Sequence, residues 1–246
     1  MTDRASGSAD AGGTGTADQR RAQMMAAALQ VISERGYADT RIADVAERAG
    51  ISPALVIYYF KTKDQLLTEA IRYYEDSWYA VGQDRMAKLP TAAARIEEIV
   101  AMNLLPEADP EPGSSWQLWL DFWAQAARNP EVGSVRRKSD ERWRNEIASL
   151  VTAGQEAGEF SAVDPEAFAI CLSALLDGFT IQIALEDPGV DPVVVFELSM
   201  RFAADRLGFA WSPGRGREPL GVLMADGPVA ASPVTASPVT GVAKPV

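Results

Sequence analysis

Apolar residues recur at intervals of three and four along most of the chain, and strand-like alternation with a period of two is absent. That pattern predicts an all-α protein. The helix starts are marked by residues whose short polar side chains can accept from free backbone N–H groups. Asp18 can cap a first helix running to about Arg35 and ended by Gly36. Thr40 can cap a second, ended by Gly50, and Ser52 a third. Thr62-Lys63-Asp64-Gln65 reads as a capping box in which Gln65 reaches back to the cap, opening a fourth helix that runs to about Lys88. Thr91 opens a fifth, a Pro/Gly-rich loop covers 106–113, and Ser114 or Ser115 opens a sixth. Three later starts share one device: Asn129-Pro130, Asp164-Pro165 and Asp191-Pro192 each set a capping side chain before a proline, whose missing N–H costs nothing at the first helical position. The total is about nine helices.

Composition trims the ends of this picture. Residues 1–17 are mostly Gly, Ala, Ser, Thr and Asp, and 212–246 repeat Ala-Ser-Pro-Val-Thr; both read as disordered tails. Between them, 18–64 forms a small N-terminal unit and 65–211 a larger helical one. The net charge of −11 at first argues against a nucleic-acid partner. Its distribution does not: residues 20–75 carry eight basic and seven acidic side chains, whereas 76–246 carry fourteen and twenty-four. A near-neutral module on an acidic body can approach a phosphate backbone if the body faces away. With no histidine, His-based triads and imidazole metal sites are excluded, and no cofactor or metal site is expected. The lone Cys171 allows no internal disulfide, fits a reducing cytoplasm, and reads as a small buried hydrophobe. The most apolar stretch, 167–185, is broken by Ser173, Asp177, Thr180 and Gln182, so it reads as a buried interface helix and not a membrane span.

Candidate chemistry concentrates in 40–60. Ile42, Val45, Ala46 and Ala49 share one face; Gly50 supplies the positive φ of a tight turn; Ile51 plugs the angle; Val56 and Phe60 turn inward from the next helix. The outer face is left polar and aromatic. A helical hairpin has the same pattern, but Tyr58, Tyr59, Phe60, Lys61, Thr62 and Lys63 add hydroxyls and charges beside the next helix start. The run Ala-Gly-Ile-Ser-Pro-Ala-Leu-Val-Ile-Tyr-Tyr-Phe-Lys-Thr-Lys-Asp-Gln-Leu-Leu resembles the signature of the TetR/AcrR family of transcription regulators, over about residues 20–68. The resemblance implies a three-helix, helix-turn-helix DNA-binding domain and a larger C-terminal bundle for ligand and dimerisation. It places Thr40 and Arg41 against backbone phosphate. Ser52, Pro53, Ala54 and Leu55 fall at the base-facing start of the recognition helix, with Tyr58 beyond, and Tyr59, Lys61 and Lys63 fall at phosphates. Two positions depart from the family pattern, Ala54 for its usual Gly and Ile57 for its first Tyr. Base-reading polar groups are therefore scarce, which leaves thymine methyls and DNA shape. Arg20 and Arg21 are either phosphate or minor-groove contacts or a solvated pair.

In the C-terminal unit Trp116, Trp119, Leu120 and Trp123 recur at helical spacing, with Trp143 and Phe179 on neighbouring helices and Asp121 and Asp177 nearby in sequence. They form either a packed core stripe or an aromatic cavity with an acidic handle, suited to a cationic or amphipathic small molecule. Arg136, Arg137 and Lys138 read as a solvated face. Segments Trp-Leu-Asp-Phe-Trp-Ala-Gln-Ala-Ala-Arg-Asn-Pro and Leu-Leu-Asp-Gly-Phe-Thr-Ile-Gln resemble, more loosely, the BetI-like subgroup. Helices at about 165–186 and 192–208 carry Cys171, Leu175, Phe179, Ile183, Val195, Phe196 and Phe202, more apolar surface than one chain needs, which predicts a two-fold homodimer interface. The expectation is a homodimeric repressor on a palindromic double-stranded operator, released by a small molecule, with no enzymatic activity and no membrane partner. The competing readings are an all-helical enzyme such as a terpenoid synthase, whose Asp-Asp-x-x-Asp cluster is missing here, and a helical adaptor with a vestigial DNA head.

Overall fold

Local capping decides where the helices begin. In a computed structural model describing residues 13–106 and 116–213, every regular element among the described residues is an α-helix. They are α1 (Gly13–Asp39), α2 (Ile42–Arg48), α3 (Pro53–Tyr59), α4 (Lys63–Ala87), α5 (Ala92–Leu104), α6 (Trp116–Ala126), α7 (Pro130–Glu156), α8 (Pro165–Ala184) and α9 (Pro192–Leu207). Asn129, Asp164 and Asp191 each accept from the first-turn N–H groups of α7, α8 and α9, with proline next in the chain. Ser52, Thr62 and Thr91 cap α3, α4 and α5 in the same way. The disordered tail expected over 1–17 fails at 13–17, which are helical as the start of α1. Its remainder, 1–12, most of the tail expected over 212–246, and the loop and helix start expected within 107–115 lie outside the described residues.

Three starts differ from expectation. Asp18, Arg20 and Arg21 lie inside α1, which is helical from Gly13, so Asp18 is no cap. Arg41, not Thr40, holds the N-cap position of α2; the Asp44 carboxylate accepts from the Arg41 N–H at 2.9 Å, while the Thr40 hydroxyl turns back to donate to the Gly36 carbonyl. Gln65 reaches back one residue further than the cap, accepting from the Lys61 N–H at 3.0 Å. Gly36 does break α1: its φ of +77° is a conformation that residues with a Cβ rarely adopt.

The helices pack around two apolar clusters. The first gathers Met24, Ala28 and Ile32 of α1, Val45 and Ala46 of α2, Val56 and Phe60 of and beyond α3, and Leu66, Leu67 and Ile71 of α4. Leu118 and Phe122 of α6 and Val132 of α7 complete it, so the N-terminal helices share a core with the top of the C-terminal bundle. The boundary expected between residues 64 and 65 falls at the second residue of α4. The second cluster joins α5, α7, α8 and α9 through Ile96, Ile99, Ile147, Val151, Leu172, Leu176 and Met200. By length and composition α8 is the one described helix apolar enough to cross a membrane; it packs against α5, α6, α7 and α9, and Ser173 and Asp177 interrupt it.

Cys171 departs from its expected burial. It is exposed, because Leu172 and Leu176 take the inward face of α8 and leave Cys171 on the other. Val193, Val194 and Leu198 of α9 are exposed as well, so the α8–α9 layer leaves apolar side chains uncovered among the described residues. Ile170, also exposed, lies on the cavity side of α8 with Ser173 and Asp177. Val195 and Phe196, expected at a dimer interface, are instead buried in the chain's own core, and Phe202 stacks on Phe168 at 6.0 Å.

Close packing at the end of α7 gives a first test. A Cβ placed at Gly154 would stand 2.1 Å from the Phe160 ring and 2.9 Å from the Ala92 Cβ. Gly154→Ala must therefore displace an aromatic ring, and is expected to cost about 2 kcal/mol and lower the melting temperature by about 4–8 °C. An unchanged thermal unfolding curve would contradict this packing.

Candidate functional site

The N-terminal head is a helix, a tight turn and a second helix. Val45, Ala46 and Ala49 of and after α2 are buried, Ile42 and Ile51 pack beside them, and Gly50 turns the chain at φ +65°. The Ile51 N–H closes on the Ala46 carbonyl at 3.0 Å. Two ion pairs fasten α2 to α1, Arg48–Glu34 at 2.7 Å and Arg35–Asp44 at 3.1 Å. With Val56 and Phe60 turned inward, Pro53, Ala54, Ile57 and Tyr58 face outward on α3, and Leu55 is half-buried.

The residues expected at DNA divide into free and occupied groups. Arg20, Arg41, Ser52, Pro53, Ala54, Tyr58 and Lys61 are exposed, with the Lys61 ammonium on the Tyr58 carbonyl at 2.8 Å and 5.1 Å from the centre of its ring. Arg21 pairs with Glu69 at 2.8 Å and lies over the Phe60 ring, so it braces α1 on α4. Thr40 is only 2% exposed and its hydroxyl is spent on Gly36. Tyr59 is half-buried against the head core. Lys63 donates to the Ala38 and Thr40 carbonyls at 3.0 and 2.8 Å and sits 4.3 Å from the centre of the Tyr37 ring, leaving one of its three N–H donors free. Sequence reasoning missed Ile57, which is 48% exposed on the outer face; its spacing from Pro53 and Ala54 is the signal that could have found it.

In the body, α4, α5, α6, α7 and α8 enclose a cavity of about 510 Å³. Trp116, Trp119, Trp123, Trp143 and Asp177 line it as expected of a cavity, and Tyr74, Trp78 and Tyr79 of α4 add three rings. The rings meet edge to face: Trp78 and Trp143 at 5.6 Å, Tyr74 and Trp119 at 6.4 Å. Glu75 and Asp140 join Asp177 as acids, and Arg136 lines the cavity too, held by Asp140 at 3.1 Å, so it is not merely a solvated face. Asn103 Oδ1 and Ser173 Oγ border the same space, buried and without a hydrogen-bond partner among the described residues. The α4 residues escaped the sequence reading, although Tyr74 and Trp78, like Glu75 and Tyr79, stand four apart.

Three residues expected in the cavity lie elsewhere. Asp121 points the other way from its tryptophan neighbours and accepts from the Tyr37 N–H at 2.6 Å. Two residues along a helix is a turn of about 200°, so Trp119 and Trp123 cannot share a face with it. Phe179, two residues from Asp177, packs into the lower core for the same reason, and Leu120 is half-buried outside the cavity.

Burial dominates the electrostatics of this site. It pushes Asp177 up from 3.8 to about 6, helped by the Asp140 carboxylate and opposed by Arg136 and Arg144. Burial also raises Glu75, against the Ser139 hydroxyl and Arg142 and Arg72, with Asp76 adding to the rise. Burial and the Glu75 charge push the Tyr79 phenol up, against Arg142. The lining thus combines ring faces, which attract cations, with three carboxylates set against the guanidinium groups of Arg136 and Arg144.

A helix-turn-helix head on an all-helical, cavity-bearing body defines a DNA-binding transcription regulator. The family profile described as bacterial regulatory proteins, tetR family, matches residues 24–70, and the C-terminal profile of BetI-type transcriptional repressors matches 92–208. The chain belongs to the TetR family, with a BetI-type C-terminal region. It is 30% identical over 182 residues to the HTH-type transcriptional regulator BetI of Paraburkholderia xenovorans, covering 72% of this chain and 88% of that one. With BetI of Burkholderia mallei the identity is 31% over 190 residues, covering 75% and 92%. Among solved structures, a transcriptional regulator from Saccharomonospora viridis in complex with choline is 27% identical, covers 77% of this chain and 98% of that one, and superposes with a TM-score of 0.69. TetR-family regulators bind DNA, act as dimers and respond to small-molecule effectors.

The raised Asp177 has a measurable consequence. The native carboxyl keeps its proton to higher pH than the unfolded one, so this group lowers stability as pH rises from about 4 to about 6, and the full loss persists above that range. Asp177→Asn in the unliganded protein is expected to gain stability at pH 7 and to lose that gain below about pH 4. Urea unfolding across this range checks it; a variant curve parallel to the wild type contradicts it.

Proposed function

We propose that this chain is a cytoplasmic repressor that binds a palindromic operator as a homodimer and releases it when a small cation enters the aromatic cavity. The observation that carries the ligand response is the double role of α6. One of its faces supplies Trp119 and Trp123 to the cavity, and the opposite face holds the head at Tyr37 through Asp121. A ligand that shifts α6 pulls on the head, and only one spacing of two heads fits two half-sites about one helical turn apart.

In this reading residues 18–64 present the DNA-binding surface and 65–211 hold effector and partner. Arg41, Lys61 and the free donor of Lys63 meet phosphate, Ser52, Pro53, Ala54, Leu55 and Tyr58 face the groove, and Arg20 reaches the flanking backbone. Arg21, Thr40 and Tyr59 act from behind, by holding α1, α2 and α3 in place. The exposed α8–α9 surface with Cys171, Val193, Val194 and Leu198 is the two-fold interface. The effector is a quaternary or other organic ammonium ion. Seven aromatic residues favour a cation, three carboxylates against two arginines leave the lining on the acidic side, and Asn103 and Ser173 can pair with a polar group on the ligand. The Saccharomonospora viridis relative, solved with choline, supports this choice.

Choline is the probe for the first test. It is expected to raise the melting temperature of the full chain and to weaken binding to DNA from beside its own gene by about 5–150-fold, the usual range of allosteric coupling. Trp119→Ala should lose the thermal shift and keep DNA binding. Asp121→Ala should keep the shift and lose most of the release. If neither choline nor tetramethylammonium shifts the melting temperature, the cation reading fails.

A salt titration tests the head. Arg41→Ala is expected to weaken binding to all duplexes alike and to make the slope of log K against log salt shallower by about two for a dimer, one phosphate per head. An unchanged slope removes Arg41 from the phosphate contacts.

A further inference from the structure

The recognition helix of this chain is chemically unusual. From Pro53 to Tyr59 it contains no Arg, Lys, Asn, Gln, Asp or Glu. Those are the side chains that pair with the hydrogen-bonding edges of guanine, adenine and cytosine in the major groove. Its outward face is instead Pro53, Ala54 and Ile57, bounded by Tyr58, while Val56 and Phe60 hold the opposite face in the core. Ser52 is engaged as the cap, its oxygen accepting from the Leu55 N–H at 3.3 Å. Tyr58, 69% exposed, is held at the far end of the helix, edge-on to Tyr59 and beside the Lys61 ammonium. Nearly half of the Ile57 surface is left to solvent between these flanks.

We infer that this protein reads its operator mainly through thymine 5-methyl groups, with Ile57 the side chain that sets base preference. The inference rests on the reading that α3 enters the major groove. Among the four bases only thymine presents a methyl group there, and an apolar face gains affinity by covering it. A branched aliphatic at position 57, flanked by the small Ala54 and the rigid Pro53, forms a shallow surface that a methyl group can fill. The same surface set against the polar edge of a G·C pair leaves donors and acceptors unpaired, which penalises the wrong base.

The test removes the methyl and nothing else. Full-length protein is used to enrich binding sites from a random duplex pool, and thymines of the enriched half-site are replaced one at a time by uracil. Covering one methyl corresponds to about fourfold in affinity, so a symmetric site with one contacted thymine per half should weaken by about fifteenfold on double replacement. Uracil outside the half-sites should have no effect. Ile57→Ala, at an exposed position, should keep the melting temperature, bind the thymine duplex more weakly, and no longer distinguish thymine from uracil. Half-sites specified by guanine overturn the inference in favour of hydrogen-bonded readout, and uracil tolerated at every half-site thymine overturns it in favour of DNA shape, with the regulator reading intact in both cases. An Ile57→Ala protein that still discriminates thymine from uracil overturns the assignment to Ile57. A pool from which no sequence is enriched overturns both the inference and the operator reading beneath it.

Discussion

The arrangement of the molecule depends on a buried junction around Tyr37. Gly36 breaks α1 at a positive φ and thereby frees the next N–H, which donates to Asp121 of α6. The Tyr37 phenol donates to Asp64 near the start of α4. The other oxygen of that carboxylate accepts from Asn129 Nδ2, whose Oδ1 in turn caps α7. Lys63 covers the Tyr37 ring and ties down the carbonyls of 38 and 40. One tyrosine, 6% exposed, thus connects the end of α1 and the starts of α2, α4 and α7 with the middle of α6. Burial and Asp64 push its phenol well above the ordinary tyrosine range, so it remains a donor at any working pH. A satisfied polar network inside a protein is stiff, because parting its members leaves buried groups unpaired.

In the proposed release, that stiffness links the cavity to the head. Helices α4 and α6 supply most of its rings and also enter the head's core through Leu66, Leu67, Ile71, Leu118 and Phe122. Side chains on opposite faces of one helix move together. On that proposal, a change in the tilt of α6 at Trp119 reappears at Asp121, and the junction carries it to the base of α2 as a displacement. The proposed release of DNA needs only that the two arrangements be discrete, which close packing favours.

Much of this was legible in the sequence because capping and turn chemistry are local. Asn129, Asp164 and Asp191, each followed by proline, mark their helices as expected, and Gly36 and Gly50 stop the chain where φ must be positive. What stayed hidden depended on which way a face points. Thr40 has the right chemistry for a cap, but the turn after Gly36 swings its hydroxyl back into α1. Asp121 sits between tryptophans in sequence and across the helix from them in space; 100° per residue would have separated them. Tyr74, Glu75, Trp78 and Tyr79 were overlooked because α4 reads as a connector when its neighbours are unknown. Cys171 looked like core because α8 is apolar on several sides, and the sequence does not say which side the chain covers by itself. Lys63 carries a charge that suits phosphate, yet two carbonyls of its own chain lie closer.

The central claim is that the cavity sets the placement of the two heads through the Tyr37 junction. Its most direct test is a distance. With Cys171→Ser to remove the native thiol and Glu47→Cys on the exposed side of α2, a spin label on each protomer reports the separation of the heads by pulsed dipolar spectroscopy. Bound to operator, the dimer should give one narrow distribution; saturating choline should move it to a different, separately resolved distance. An identical distribution with and without choline, or no dipolar coupling at all, would contradict the account.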